Sequence, residues 1–506
     1  MGITFSFYLI CLLIFLISIN GFGKLLLNIF KINEPLFKDC KNLEFIIGLI
    51  FIGLFSIIIN LFSNLNDLIS ICIIFLGLVS YFFFFLKIDN KIKEIYTILF
   101  VVLISIFFSF YATINDDFDY HFKTINNFKE FAVFDIIHGR RISYNSHWLL
   151  INSAYYLSYF PATVFCITSL FYSLTIFDFY NSFKKNLLNE YYLTSIYSFF
   201  VLIFLLGVLN QFKEYGTDFP GQLILFYISL FFLKFINSKK NYGEIQFYLI
   251  ILLLAFFAVA IKISNSLIFI LLIFIYLQLQ QKKLLLFLSI IVSIPTFFWI
   301  VQNYIISECL IWPVSFTCLE NVEKATIEMN IIESFAKGDI NAFVDTTNFQ
   351  WVYVWFNNHF KKLIEIYGFY FILSLSPVLI FYFKSTLNNK NHSKIKIKEL
   401  LFKFEYPYSF FVFIIIIFNI IWFIKAPAYR FGVFYNLSFL IIILIPFWED
   451  LLSKNKKFAT HALKFLLLVS IIFFIYKNIA KYDKYIDRYG VLWPNIVNGK
   501  LIQPLN

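Results

Sequence analysis

Apolar residues come in long blocks along this chain, runs of roughly 18 to 22 that can each carry a helix across a hydrocarbon core about 30 Å thick. About fourteen such spans are predicted. They fall near residues 3–22, 44–62, 67–86, 95–112, 161–180, 191–210 and 219–237, then near 244–261, 264–281, 284–302, 363–383, 408–424, 431–449 and 460–477. The two that meet at Lys262 can also be read as one broken helix. Ahead of Asn20 and Gly21 the first block lacks the basic start and small-residue cleavage site of a signal peptide, so it counts as a span. The expected fold class is all-α, a single polytopic membrane bundle over residues 1–506.

The polar intervals set the orientation, because basic residues in short loops stay on the cytoplasmic side. Lysines fill alternate intervals: Lys24, Lys31, Lys38 and Lys41; Lys87, Lys91 and Lys93; Lys184 and Lys185; Lys234, Lys239 and Lys240; Lys282 and Lys283; the stretch from Lys384 to Lys403; and Lys454, Lys456 and Lys457. The short intervals between them hold only Lys213, Lys262, Lys425 and Arg430. Both termini are therefore expected outside. So are two long extracytoplasmic loops, 113–160 and 303–362, and a polar tail at 478–506, while 384–407 forms a basic, topology-setting cytoplasmic loop. Composition agrees, with 60% hydrophobic and only 14% charged residues, against about 25% charged in soluble domains. The net charge of +11 is then mostly a topology signal and gives no reason to expect nucleic acid. The lysine and isoleucine bias, with only four arginines, points to an AT-rich bacterial genome, hence to a bacterial inner (plasma) membrane.

Within the outer loops, one segment stands apart: Asp116, Asp117, Phe118, Asp119, Tyr120 and His121, three carboxylates and an imidazole directly after a span. Apolar Ile125, Phe128 and Phe131 follow at three-residue spacing, which predicts a short amphipathic helix at the interface. Capping that helix accounts for one or two of the carboxylates. Three together repel, so they call for a cation or a hydrogen-bond network, or one keeps its proton and becomes a base. A divalent metal would take Asp116, Asp119 and His121.

Further along, Arg140 and Arg141 could grip a phosphate with fork-shaped donors, or pair with Asp135 or lipid headgroups. Trp148 reads as an interfacial anchor. Arg430 and Lys262, at span ends, either meet an anion or snorkel to the interface. Asp218, beside Pro220, is a helix cap or a second functional carboxylate. Trp351, Tyr353 and Trp355 form an interfacial amphipathic segment or a sugar-stacking platform. Cys309 and Cys318 lie outside and near enough for a disulfide or for two unpaired thiols. No Walker loop, dinucleotide turn, zinc-type cysteine pairing or nucleophile elbow is present.

The acidic stretch Asp116 to His121 with Ile125, then His138-Gly139-Arg140 and Asn145, Ser146 and Trp148, resembles the matching stretch of an uncharacterised bacterial polytopic membrane family. The resemblance extends to Thr217-Asp218-Phe219-Pro220, Lys262-Ile263-Ser264, Asn303-Tyr304, Trp312-Pro313, Pro427 and Arg430-Phe431. That family is in turn similar to glycosyltransferases of the C-type fold, which use polyprenyl-phosphate-linked sugars. In those enzymes the acidic loop follows the first span, whereas here it follows the fourth. The resemblance implies inverting sugar transfer to an envelope glycan, lipid or protein acceptor on the outer side. It implies Asp116 or Asp117 as base, Asp119 and His121 orienting the acceptor or a metal, and Arg140, Arg141, Asp218, Lys262 and Arg430 toward the donor.

Two other classes compete. A polysaccharide polymerase or ligase would depend on outer arginines more than on carboxylates. A transporter or lipid flippase would carry ionisable groups in mid-span, and the nearest such residue is Asp178, close to a cytoplasmic end. Whichever class holds, a site is expected in a groove between the short helices of the first outer loop and the second outer loop.

Overall fold

The computed structural model describes residues 2–30, 37, 40–87, 91–109, 117–136, 142–207, 216–237, 244–338, 348–388, 406–489, 496–497 and 500–501. Within the described residues all fourteen apolar blocks are helical, the one at 284–302 as two helices. They are α1 (Gly2–Ile29), α2 (Lys41–Phe62), α3 (Asp67–Phe85), α4 (Lys91–Ser109), then, after two short helices in the first loop, α5 (Lys123–Glu130) and α6 (His147–Tyr155), α7 (Cys166–Leu188), α8 (Tyr192–Gly207), α9 (Asp218–Asn237) and α10 (Glu244–Ile261). There follow α11 (Ile268–Gln278), α12 (Lys282–Val292), α13 (Ile294–Ser307), the loop helix α14 (Val322–Lys337), α15 (Phe369–Asn388), α16 (Tyr406–Lys425), α17 (Val433–Lys454) and α18 (Lys456–Tyr489).

Among the described residues, nine helices are long and apolar enough to cross a membrane, or ten if the bent pair α12 and α13 is one span. The protein is thus an all-helical, multi-pass membrane protein. Of the other predicted spans, α8, α10 and the 263–278 segment are apolar but shorter, and α4 opens on Lys91, Lys93 and Glu94. Pro295, in the first turn of α13, supplies no N–H to the turn before it, which accounts for the 45° bend. At Lys262 the helix is interrupted: its backbone is extended and a 3-10 turn, Ile263–Leu267, follows before α11. The last helix runs on to Tyr489, past the expected end of its span, and the tail closes with a two-residue antiparallel pairing of Ile496–Val497 with Lys500–Leu501.

Two sets of charges fix the ends of the bundle. At one end Glu94 takes Lys24 at 2.8 Å and Lys41 at 3.1 Å and accepts from Tyr81 Oη at 3.2 Å, joining α1, α2, α3 and α4. Asp178 belongs here too: buried in α7, it accepts from the Lys41 and Asn42 backbone N–H groups at 3.0 and 2.8 Å and from Tyr227 Oη at 3.3 Å. It satisfies the open N–H groups that begin α2, so this carboxylate, near the end of its span, has a structural task. At the opposite end, Lys129 of α5 is buried against Asp67 at 2.9 Å and donates to Ser70 at 2.7 Å. The Ser158 backbone N–H donates to the same Asp67. Between the ends α1, α2 and α3 pack backbone to backbone; a Cβ on Gly21 would lie 2.0 Å from the Gly77 carbonyl oxygen.

One element departs from the expectation for the first loop. All nine residues of α6 are buried, so it does not lie along an interface. The chain enters and leaves α6 at the same end of the bundle: Asn145 is bonded to Asn303 at the end of α13, and Ser158 to Asp67 at the start of α3. Trp148, expected as an interfacial anchor, is fully buried against Phe171 of α7. Its neighbours Leu149, Leu150 and Ile151 bury a full apolar complement with it, which is reason enough for the segment to leave the surface.

Candidate functional site

Three charged residues from distant parts of the chain converge at the end of the bundle that carries the first loop. Asp218 is the first residue of α9, Lys262 occupies the break after α10, and Arg430 sits in a 3-10 turn, Tyr429–Phe431, between α16 and α17. Each lies at a helix start, a helix break or a turn between helices, which places its side chain at the bundle's mouth. Lys262 Nζ is paired with Asp218 Oδ1, and Arg430 Nε lies 3.5 Å from Asp218 Oδ2. One carboxylate thus faces two cations. The side chains retain 21%, 21% and 37% of their exposure for Asp218, Lys262 and Arg430, so the cluster opens outward.

Neutral residues hold the three in place. Gln222, one turn along α9 from Asp218, donates to the Arg430 carbonyl oxygen at 2.6 Å and accepts from the Phe434 backbone N–H at 2.9 Å, fastening the arginine turn to α9. Tyr435 Oη donates to the Ser264 carbonyl oxygen at 2.8 Å, fastening α17 to the lysine break. Aromatic faces take the cations: Lys262 Nζ is 3.9 Å from the Phe431 ring centre, and the Arg430 guanidinium carbon lies 5.1 Å from Phe431 and 5.5 Å from Phe335.

Both long loops reach this place. From the first, His121 is buried and near enough to Asp218 to act on it electrostatically, and a Cβ on Gly216 would stand 2.8 Å from its ring. Ser146 Oγ donates to the carbonyl oxygen of Ile261, the residue before Lys262. From the second come Phe335 of α14 and Glu328, which accepts from Tyr144 Oη at 2.6 Å and so links the two loops. Asn145 Nδ2 donates to Asn303 Oδ1 at 2.8 Å, and Asn303 Nδ2 to the Leu310 carbonyl oxygen at 3.3 Å. Cys309 and Cys318 form a disulfide across a short hairpin, and Trp312 packs beside it with Tyr144 against the same cluster.

Trp351 and Trp355 neither lie along an interface nor present a sugar platform: both are buried, and Trp355 Nε1 donates to the Pro427 carbonyl oxygen at 2.8 Å. They press the second loop onto the arginine turn. Tyr353 between them points away, three-quarters exposed.

The structure therefore brings together Asp218, Lys262, Arg430 and His121. Asp116, Arg140 and Arg141 lie outside the described residues. Asp117 and Asp119 belong to a π-helical turn, Asp117–Phe122, that leads into α5, with their side chains outside the description. Among the described residues no group of three or more His, Cys, Asp or Glu could hold a metal ion; of the set expected for one, only the His121 side chain is described. Gln222, Phe335, Tyr144 and Glu328 were not singled out from the sequence. Gln222 had a usable signal, its i, i+4 spacing from Asp218 on one helix face. The others carry none, since their partners lie in remote segments.

The fold and the charged cluster define a multi-pass helical membrane protein with a mixed-charge site at one end of its bundle, enclosed by two loops. The family described as Domain of unknown function (DUF8201) matches residues 5–437, and the chain belongs to it. No curated protein and no solved structure matches the chain.

Proposed function

We propose that the protein is an inverting glycosyltransferase of the bacterial plasma membrane, moving a sugar from a polyprenyl-phosphate donor to an envelope acceptor on the extracytoplasmic side. The observation that carries this reading is the meeting of Lys262 and Arg430 on Asp218 beside His121, at the end of the bundle where the acidic turn begins. In the reaction the bond from the anomeric carbon to the phosphate oxygen breaks, and a bond from that carbon to the acceptor oxygen forms. The acceptor proton passes to a carboxylate, Asp116 or Asp117, with Asp119 and His121 orienting the acceptor. The lipid phosphate leaves with the bonding electron pair, and Lys262 and Arg430, partly withdrawn from water, stabilise that charge.

The orientation rests on the lysines. Lys24, Lys41 and Glu94 share one end of the bundle, and Lys456 reaches Glu190 at 2.6 Å in the turn between α7 and α8. The lysine-rich intervals would face the cytoplasm, leaving the charged cluster outside. The resemblance of the short sequence motifs to C-type enzymes, at second hand through the family, adds analogy alone.

The test is the surface-glycan profile of cells carrying Lys262→Gln, Arg430→Gln, Asp116→Asn or Asp117→Asn, beside wild type and a deletion, with membrane levels matched. Lys262→Gln or Arg430→Gln and one aspartate variant are expected to copy the deletion. If all four give wild-type glycans while the deletion does not, the transferase reading fails.

A further inference from the structure

We propose that Asp218 selects the charge of the phosphate that enters between Lys262 and Arg430, admitting a singly charged phosphodiester and rejecting a diphosphate. This deepens the transferase reading and rests on it.

The ground is how the charges are shared. Asp218 commits one carboxylate oxygen to each cation, Oδ1 to Lys262 and Oδ2 to Arg430 Nε. The trio therefore carries one net positive charge. Among the described residues no second carboxylate pairs with Lys262 or Arg430. Arg430 faces Asp218 with Nε at 3.5 Å, its guanidinium lies beside the Phe431 and Phe335 rings, and its side chain keeps 37% of its exposure, so it can still be reached from outside. A ligand phosphate can thus bind beside the carboxylate without displacing it. One negative charge completes the balance.

A diphosphate would set a second anionic group within a few ångströms of Asp218. In a partly buried place such like-charge repulsion is poorly screened and lowers affinity on the order of ten- to a hundredfold. Without Asp218 the same two cations would suit a doubly charged group. The lipid is therefore discriminated by a repulsive element inside the site rather than by a missing contact.

The test is binding of two probes, farnesyl phosphoryl glucose and farnesyl diphosphate, to the purified full-length protein in lipid nanodiscs. Wild type is expected to prefer the phosphodiester by about tenfold or more. Asp218→Asn should erase that preference chiefly by tighter diphosphate binding, while Asp218→Glu, which keeps the charge, should retain it. A folded Asp218→Asn protein with the wild-type preference overturns the inference and leaves the transferase reading standing. Wild type that binds diphosphate as tightly as the diester also overturns it, and that comparison decides the matter should Asp218→Asn not fold. Failure of wild type to bind either probe sinks the transferase reading, and this inference with it.

Discussion

Lys129 shows how a single residue can hold two elements together at a cost that depends on pH. Burial, the larger influence, holds its pKa below that of an ordinary lysine, against the upward pull of the hydrogen bond and charge of Asp67. The unfolded chain keeps this proton up to about pH 10.4, so between the lowered value and that pH the unfolded state binds more protons. Stability from this residue must then rise with pH across that window. Thermal unfolding of the detergent-purified protein, followed as the pH is raised toward about 10, should show wild type gaining on Lys129→Met once that window is entered. A constant gap would mean that Lys129 titrates normally.

Among elements, the hairpin closed by Cys309 and Cys318 supports the first loop as much as the second, because Tyr144 leans on it and reaches across to Glu328. A bridge closing so short a loop contributes about 2–3 kcal/mol by loop entropy. Replacing both cysteines with serine should speed limited proteolysis between Glu308 and Gly338 several-fold, with little change in the cooperative unfolding of the bundle. An unchanged cleavage rate would show that Trp312 and Asn303 restrain the hairpin unaided. The helices themselves were readable because a bilayer demands continuous apolar runs, and within the described residues all fourteen blocks are helical. α6 was not, since Trp148 to Ile151 make a run too short to count as a span, and nothing local says that the run is swallowed by the bundle. The site divides in the same way. Asp218, Lys262 and Arg430 stood out as isolated charges at span ends. Phe335 and Glu328 lie in α14, an ordinary amphipathic helix, and only the tertiary fold reveals their partners.

For the molecule as a whole, the charged cluster can serve a transferase of envelope sugars only if its end of the bundle faces outward. In a background with the exposed Cys72 replaced by serine, Thr326→Cys on the exposed side of α14 should react with an impermeant maleimide on intact spheroplasts. Lys457→Cys, at the opposite end, should react only after lysis. The reverse pattern would place Lys262 and Arg430 in the cytoplasm. The buried α6 has a further consequence, for the order in which the protein is made. Nine residues cannot cross a bilayer, and α6 packs His147 against Phe257 of α10 while Ser146 bonds to Ile261 at the end of the same helix. A segment that leaves the ribosome early therefore has its walls from α2 and α7 at hand but meets the α10 wall only after about a hundred later residues have been made, so that side of the slot closes last.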